Sequence, residues 1–280
     1  FIASTAVIDH LGAKPVFVDV RFDQNIDPTK IEKVITSKTK VIMPVHLCGR
    51  ICDMHLINKI AKKYNLKVVE DSAQAIGSKY KSKMSGSFGD IGCFSTHPLK
   101  NLNSSGDGGF LTTNNKKIYL ACKSLSNHGM ENRNIIKNFG YVSRMDNLQA
   151  GILNYRLRKL NTIIEKRRKN AQIYFNQIQS REVFLPHEKK YEFNTYHTFI
   201  IQTKKRNILK DYLLSRNIET AIHYPIPIHL QPASKKFGYK KGDFPICESQ
   251  VKNILTLPIH QYLSKTSLQR IIKEINNFFK

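Results

Sequence analysis

A lone lysine and an acidic pair stand out in this sequence as possible reactive groups. Glu70 and Asp71 end the apolar run LKVVEDS, and Gln74 follows one turn later. Lys100 lies in the loop after a second apolar run, DIGCFST, which carries Ser95 near its end. Ligands of open α/β sheets bind beyond the carboxyl ends of the strands. An acid and a lysine placed at two such ends are therefore expected to converge on one crevice.

Covalent attack on a carbonyl is the chemistry that this pairing suggests. Partial burial lowers the pKa of a lysine amine, and the neutral amine can attack an aldehyde. Pyridoxal phosphate (PLP) carries such an aldehyde, and its ring nitrogen needs an acidic partner to act as an electron sink. An aspartate at a strand end is as often a helix cap, and a loop lysine is usually solvated, so spacing alone leaves these interpretations open.

Strand and helix signals alternate in the first half of the chain, which contains these residues. Apolar runs predict strands at 13–20, 39–47, 66–72, 90–96 and 108–114. Helical spacing of apolar residues predicts helices at 27–36 and 53–65. This alternation predicts an α/β fold with a mostly parallel sheet covered by helices.

The second half of the chain has a different pattern. Residues 145–174 are helical in spacing and contain no proline, which predicts one long helix that links two domains. The remainder predicts a smaller α+β unit with a strand at 196–203, helices at 207–217 and near the C-terminus, and a proline-rich loop at 223–232. We therefore expect a large domain at 1–160 and a small C-terminal domain at 161–280.

Composition limits the classes of function. No apolar run approaches the roughly 18 residues that span a bilayer, so no membrane partner is expected. Five scattered cysteines favour a reducing, cytoplasmic compartment. Cys48 and Cys52 lack the further ligands of a zinc site, so no metal is predicted. The net charge of +24 is spread along the chain without a nucleic-acid-binding motif, which leaves a basic binding module as a distant alternative.

The stretch 70–114 resembles the core of the DegT group of sugar-nucleotide aminotransferases, which are PLP enzymes. In that family E-D-x-A-Q is followed by G-S-x-G-D-x-x-x-F-S, then by K-N-L before an acidic residue and two glycines. EDSAQ, GSFGDIGCFS, KNL and DGG occur in that order. Further segments such as GAKPVFVDV, PVHLCG, GYVSRMDNLQA and LTLPIH extend the resemblance over nearly the whole chain. It implies the aspartate-aminotransferase (type I) fold, with a large mixed-sheet domain, a smaller α+β domain and a homodimer with shared active sites.

The resemblance also implies roles by position. Lys100 would form the covalent link to PLP and later carry the proton, while Asp71 would pair with the ring nitrogen. Gln74 would contact the phenolic oxygen, Ser95 would help to hold the phosphate, and Phe1 would stack on the ring. Two alternatives stay open, since Ser95 could bond its own backbone and Phe1 could be a frayed apolar terminus.

Three further residues are candidates for substrate binding. His223 and Tyr224, in the HYP loop, would face the sugar or its nucleotide. Arg144 would bind a carboxylate or phosphate, because its guanidinium group matches both. Structural hydrogen bonding is the alternative for each. A histidine replaces Lys100 in family members that dehydrate deoxysugars, so the lysine favours transamination.

The function implied is amino transfer from glutamate to a nucleotide-linked keto-sugar, for surface glycans or glycosylated metabolites. The family's phosphate-binding Gly-Thr/Ser-x-Ala-Leu segment would precede Phe1, so we expect a truncated chain that binds PLP weakly. A catalytically inactive PLP-binding regulator or truncated paralogue is the first alternative to an active enzyme.

Overall fold

The computed structural model describes residues 1–280 and contains eight α-helices and eleven short strands. The helices are α1 (Ile2–His10), α2 (Met54–Lys63), α3 (Lys116–Leu125), α4 (Asn147–Leu157), α5 (Leu160–Gln177), α6 (Arg206–Ser215), α7 (Pro245–Asn253) and α8 (Lys265–Phe278). The strands are β1 (Val41–Ile42), β2 (Lys67–Asp71), β3 (Lys79–Tyr80), β4 (Lys83–Met84), β5 (Ile91–Ser95), β6 (Gly109–Thr112), β7 (Met130–Asn132), β8 (Ile135–Ile136), β9 (Glu192–Phe193), β10 (Phe199–Gln202) and β11 (Ile254–Leu257). No helix is both long and apolar enough to cross a membrane.

A four-stranded sheet in the order β1–β2–β5–β6 forms the centre of the N-terminal half. β1, β2 and β5 run parallel, whereas β6 runs antiparallel to β5. The register places Asp71 opposite Cys93, so the carboxyl ends of β2 and β5 lie side by side. The predicted α/β fold with a mostly parallel, mixed sheet is confirmed.

Local sequence explains the elements nearest the carboxyl edge of this sheet. The two-residue period of β2 puts Val68 and Glu70 on the buried face and leaves Asp71 on the other face. α2 begins where the Asp53 side chain accepts a hydrogen bond from the backbone N–H of Leu56 at 3.2 Å. Its buried face packs against the sheet, so the helix predicted at 53–65 is confirmed.

Two N-terminal predictions of regular structure are wrong. Residues 13–20 form no strand, because their only pairing is an isolated bridge between Val20 and Ile26. The ring of Phe17 instead packs 5.1 Å from that of Tyr239 in the C-terminal half. Residues 27–36 form two single 3₁₀ turns rather than an α-helix. In both segments the local pattern of apolar residues is that of a regular element, but tertiary packing determines a different backbone conformation.

The long helix predicted at 145–174 is broken into α4 and α5. At the break, the N–H of Lys159 bonds the carbonyl of Arg156, three residues earlier, at 2.9 Å. No proline or glycine causes this change. The Arg156 side chain is fastened to the loop after Lys100, where it donates to the carbonyl of Asn103 at 2.6 Å. The break lies between this anchor and Leu160, the first residue of α5, which is buried in a core cluster.

The apolar core has two main parts. One comprises nine buried residues between Ile31 and Tyr80, around the four-stranded sheet. The other comprises 18 buried residues between Ala171 and Ile275, around the antiparallel pair β10 and β11. A third cluster of four buried residues joins Leu102 to α4 and α5. The domain boundary at 160/161 stays a prediction.

Candidate active site

Lys100 and Asp71 come together at the carboxyl edge of the sheet, as the sequence predicts. Lys100 lies in the turn between β5 and β6, with its backbone N–H donating to the carbonyl of His97 at 2.8 Å. Its side chain is half-buried. Burial lowers the pKa of the Lys100 amine, and the negative charge of Asp71 offsets part of that decrease. The pair therefore places an amine that loses its proton at lower pH than a solvated lysine close to a carboxylate.

The Asp71 carboxylate is held by hydrogen bonds at both oxygens. Oδ1 accepts from the backbone N–H of Ala73 at 3.1 Å, and Oδ2 accepts from the Ser4 hydroxyl at 2.5 Å. The Asp71 backbone is fixed as well, since its N–H donates to Pro44 and its carbonyl accepts from His46, each at 2.9 Å. Ser4 lies 67 positions away, and no motif in FIASTA marks it, so the sequence analysis missed this contact.

A buried network behind the sheet fixes the neighbouring loop. Glu70 and His46 are fully buried, and Nε2 of His46 lies 2.9 Å from Oε2 of Glu70. Nδ1 of His46 accepts the backbone N–H of Cys52 at 3.2 Å, so the ring proton is on Nε2 and points to Glu70. Glu70 also accepts from the backbone N–H groups of Gly86, Phe88 and Gly89, at 2.6–2.8 Å. Burial would raise the pKa of Glu70, but these hydrogen bonds outweigh it and the pKa is lowered.

Gln74, Tyr224 and Phe1 lie close to one another near Asp71. The Oε1 atom of Gln74 accepts the backbone N–H of Cys48 at 2.8 Å, which fixes the amide. Burial raises the pKa of Tyr224, and the Gln74 side chain opposes part of that increase, which places the two side chains near each other. The rings of Phe1 and Tyr224 lie 5.6 Å apart. Their positions leave the roles implied by the resemblance as predictions.

The other three candidates, His223, Ser95 and Arg144, differ in the contacts that they make within the chain. Nδ1 of His223 lies 2.9 Å from the Thr256 hydroxyl, and burial together with the charge of Lys100 lowers the pKa of His223. Ser95 ends β5, where its Oγ accepts the N–H of His97 at 3.3 Å, which is the local bonding left open above. Arg144 is exposed and makes no hydrogen bond or ion pair within the chain.

His197 is a second residue near Lys100 that the sequence analysis missed. Its Nδ1 atom is buried without a hydrogen-bond partner. Burial, and then the positive charge of Lys100, lower the pKa of His197 to about 3, with smaller contributions from Arg167 and His223. The segment that carries it is tied to the lysine loop, because the Asn101 amide donates to the carbonyl of Thr195 at 3.1 Å. Its sequence, YHTF, resembles an ordinary strand start and gives no signal of this position.

The half-buried imidazole of His197, whose pKa is strongly lowered, predicts an acid-sensitive fold. Between about pH 6.5 and the folded-state pKa of about 3, the unfolded chain binds a proton at His197 that the folded chain does not, so stability falls as the pH falls. The loss approaches about 1.4 kcal/mol per pH unit below 6.5. Since glutamine does not titrate, we expect the free energy of unfolding of His197→Gln to fall less steeply between pH 7 and 5 in urea denaturation.

The matched control for this prediction is His55→Gln, at an exposed position on α2. It should retain the wild-type slope. An unchanged slope in His197→Gln would show that the acid sensitivity arises elsewhere.

A lysine of lowered pKa and a carboxylate, held at the carboxyl edge of a mostly parallel sheet, are features of a PLP-dependent transferase. The chain belongs to the DegT/DnrJ/EryC1/StrS aminotransferase family, whose sequence model matches residues 1–276. Members of this family are PLP-dependent sugar aminotransferases.

Three similar proteins indicate the range of the family. The chain is 42% identical to a dTDP-3-amino-3,6-dideoxy-alpha-D-galactopyranose transaminase of Aneurinibacillus thermoaerophilus, covering 99% of the chain and 76% of that protein. It is 38% identical to a pleiotropic regulatory protein of Geobacillus stearothermophilus, covering 100% and 76% respectively. The structure of S. venezuelae DesV in complex with a ketimine intermediate matches with a TM-score of 0.97 at 32% identity, covering 100% of this chain and 76% of that one.

The residues present fit PLP. The Lys100 amine, the fixed Asp71 carboxylate and the Gln74 amide provide a nucleophile, an anion and a polar group along one edge of the sheet. This donor set suits an aldehyde, a basic ring nitrogen and a phenolic oxygen. The type I fold, the enzyme class and the cofactor implied by the resemblance are therefore confirmed by the family and its solved structures.

Proposed function

We propose that this protein transfers an amino group from glutamate to a nucleotide-linked keto-sugar. The observation that carries the proposal is the Lys100 amine, whose pKa is lowered by burial and which interacts with Asp71 at the ligand edge of the sheet. The substrate class is supported by the 42% identity to a transaminase named for a dTDP-linked amino sugar. Lysine rather than histidine at position 100 supports amino transfer over dehydration.

Lys100 is proposed to act twice. Its amine, neutral at lower pH than that of a solvated lysine, would hold the cofactor covalently through the aldehyde carbon, with loss of water. Once released from the cofactor, the same amine would take up the proton from Cα of the amino donor and hand it on during amino transfer. It performs the reverse proton transfer when the sugar ketone is aminated. The half-buried position limits competing protonation of the amine by water.

The other residues of the site are proposed to bind and orient the cofactor. When bound, PLP supplies the aldehyde that carries the amino group and a ring that accepts electrons from the reacting carbon. Asp71 would balance a proton on the ring nitrogen, Gln74 would orient the phenolic oxygen, and Ser95 would contribute to phosphate binding. Phe1 stacks on the ring.

His223, Tyr224 and Arg144 are proposed as substrate contacts. His223 lies near enough to Lys100 for the charge of the amine to lower its pKa, and Tyr224 follows it in the chain and lies beside Phe1, so both could contact a sugar bound at the site. Arg144 is exposed and has no partner within the chain, so its guanidinium group is free for a phosphate or carboxylate.

We further propose a cytoplasmic homodimer built from two-domain subunits divided near residue 160. Large apolar side chains are exposed between β8 and the end of α4, including Phe139 (97% exposed), Tyr141, Val142 and Leu148. Such a concentration is typical of an interface between proteins. The separate cores on either side of the proposed domain boundary support the division.

The test is transfer of label from ¹⁵N-glutamate to dTDP- and UDP-linked keto-sugars, followed by mass spectrometry of the sugar product. We expect label in the sugar and equimolar 2-oxoglutarate. The relative named as a pleiotropic regulatory protein makes a PLP-binding regulator the second candidate. If the protein binds PLP but neither takes an amino group from glutamate nor delivers one to any of the sugars, the result would favour the regulator.

A further inference from the structure

Ser4 makes a contact that helix serines seldom make. A serine within a helix either points to solvent or bonds a backbone carbonyl of the preceding turn. The Ser4 hydroxyl instead donates to Oδ2 of Asp71, 67 positions away, at 2.5 Å. This length is at the short end of the range for a hydroxyl bonded to a carboxylate, a class roughly twice as strong as neutral hydrogen bonds. The contact therefore joins a half-buried hydroxyl to the anion of the site.

This contact does not follow from general packing of α1. None of the residues of α1 is buried, and Ser4 makes the only hydrogen bond between this helix and the four-stranded sheet. The other polar tie of α1 is the exposed pair of Asp9 with Lys236, at 2.6 Å. The hydroxyl therefore reaches the carboxylate from a helix that is otherwise loosely attached.

The Asp71 carboxylate can accept more hydrogen bonds than it receives within the chain. An ionised aspartate has about four acceptor positions, two on each oxygen. Ser4 uses one on Oδ2 and the N–H of Ala73 uses one on Oδ1. Both oxygens are fixed, and each keeps a position for a further donor. Because Asp71 and Lys100 attract each other, a carboxylate without these bonds would be free to turn toward the amine.

We infer that Ser4 is a positioning residue, which holds the Asp71 carboxylate ready for the ring nitrogen of PLP and restrains it from pairing with Lys100. This inference rests on the proposed role of Asp71. Loss of the hydroxyl should weaken PLP binding by about tenfold, which is the effect of one charge-assisted hydrogen bond. It should also leave the Lys100 amine more protonated, so that the cofactor-free protein is modified at Lys100 more slowly by an amine-specific reagent at pH 8.

The experiment compares Ser4→Ala with three reference variants. Ser4→Thr retains a hydroxyl and should restore PLP affinity to within about threefold of wild type. Thr5→Ala removes a neighbouring hydroxyl of the same helix that makes no hydrogen bond, so it should match wild type. In the Asp71→Asn background Ser4→Ala should have little further effect, because the two residues act as a unit. PLP affinity is measured by equilibrium dialysis, and modification of Lys100 by peptide mass spectrometry on the cofactor-free protein.

The outcomes separate this inference from the proposed function. Wild-type protein that does not bind PLP overturns the proposed function and the inference together. Wild-type affinity in Ser4→Ala, or fully additive effects of Ser4→Ala and Asp71→Asn, overturns the role of Ser4 alone. If the effects of Ser4→Ala and Asp71→Asn are coupled in the free energy of unfolding but not in PLP affinity, Ser4 only anchors the helix. That result also overturns the inference.

Discussion

Replacing Lys100 with alanine should abolish amino transfer, with a loss of about 10³-fold or more in kcat. Two functions disappear together, since the side chain is both the proposed nucleophile and the proposed proton carrier. Positioned general acid–base groups alone contribute about 10²–10⁴-fold. We expect wild-type protein to show an absorbance band with PLP that depends on the covalent link to Lys100, and the variant should lose it. Initial-rate kinetics and an absorbance titration with PLP measure the two losses.

Two comparisons separate chemistry from folding in this result. Lys59→Ala removes an exposed lysine from α2, so it should retain wild-type activity and the absorbance band. A small primary amine added to Lys100→Ala should restore part of the proton transfer, because it can enter the space that the side chain leaves. Activity of Lys100→Ala within tenfold of wild type would contradict the proposed mechanism.

Replacing Glu70 with alanine should lower the free energy of unfolding by about 3–5 kcal/mol, which is more than we expect from any of the other substitutions. The side chain is fully buried and accepts four hydrogen bonds. Without it, Nε2–H of His46 and the backbone N–H groups of Gly86, Phe88 and Gly89 lose their acceptor, and the first two of these donors are buried. Each unpaired donor costs about 1–3 kcal/mol unless water enters. Urea denaturation at pH 7 measures the change.

The matched control is Glu182→Ala. Glu182 is 49% exposed and pairs with Lys205 at 3.0 Å, a surface pair that contributes about 0–1 kcal/mol. Because the pKa of Glu70 is lowered in the folded state, its contribution is present above its unfolded pKa and disappears as the pH falls through the folded value. The difference between the two variants should therefore shrink in acid. Equal losses for both variants at pH 7 would contradict a special role for Glu70.

The sequence predicted those parts of the site that depend on strand ends. An apolar run followed by a polar residue marks where a buried strand stops, and parallel strands stop at a common edge. That argument was sufficient to bring Asp71 and Lys100 together, and the order of short motifs was sufficient to indicate the family. Elements with strong local signals, such as α2 with its Asp53 cap and the amphipathic α8, were also predicted correctly.

The predictions were wrong where non-local packing decides the backbone. Residues 13–20 have the composition of a strand but lie where no neighbouring strand is available, and Phe17 packs on aromatic rings over 200 positions away. The helix predicted at 145–174 is interrupted although no residue in it breaks helices, and Arg156 is anchored to the lysine loop on one side of the interruption. Neither contact can be read from a local window.

Sequence alone thus determined the fold class, the family and the lysine–carboxylate pair, because these follow from local apolarity and from residues close in the chain. Only the tertiary structure showed the surroundings that give the pair its properties. Burial sets the lowered pKa of Lys100, and His197 and the Ser4 hydroxyl approach the site from distant segments. The physical reason is that desolvation and hydrogen bonding depend on which atoms lie within a few ångströms of each other, and chain distance does not encode this.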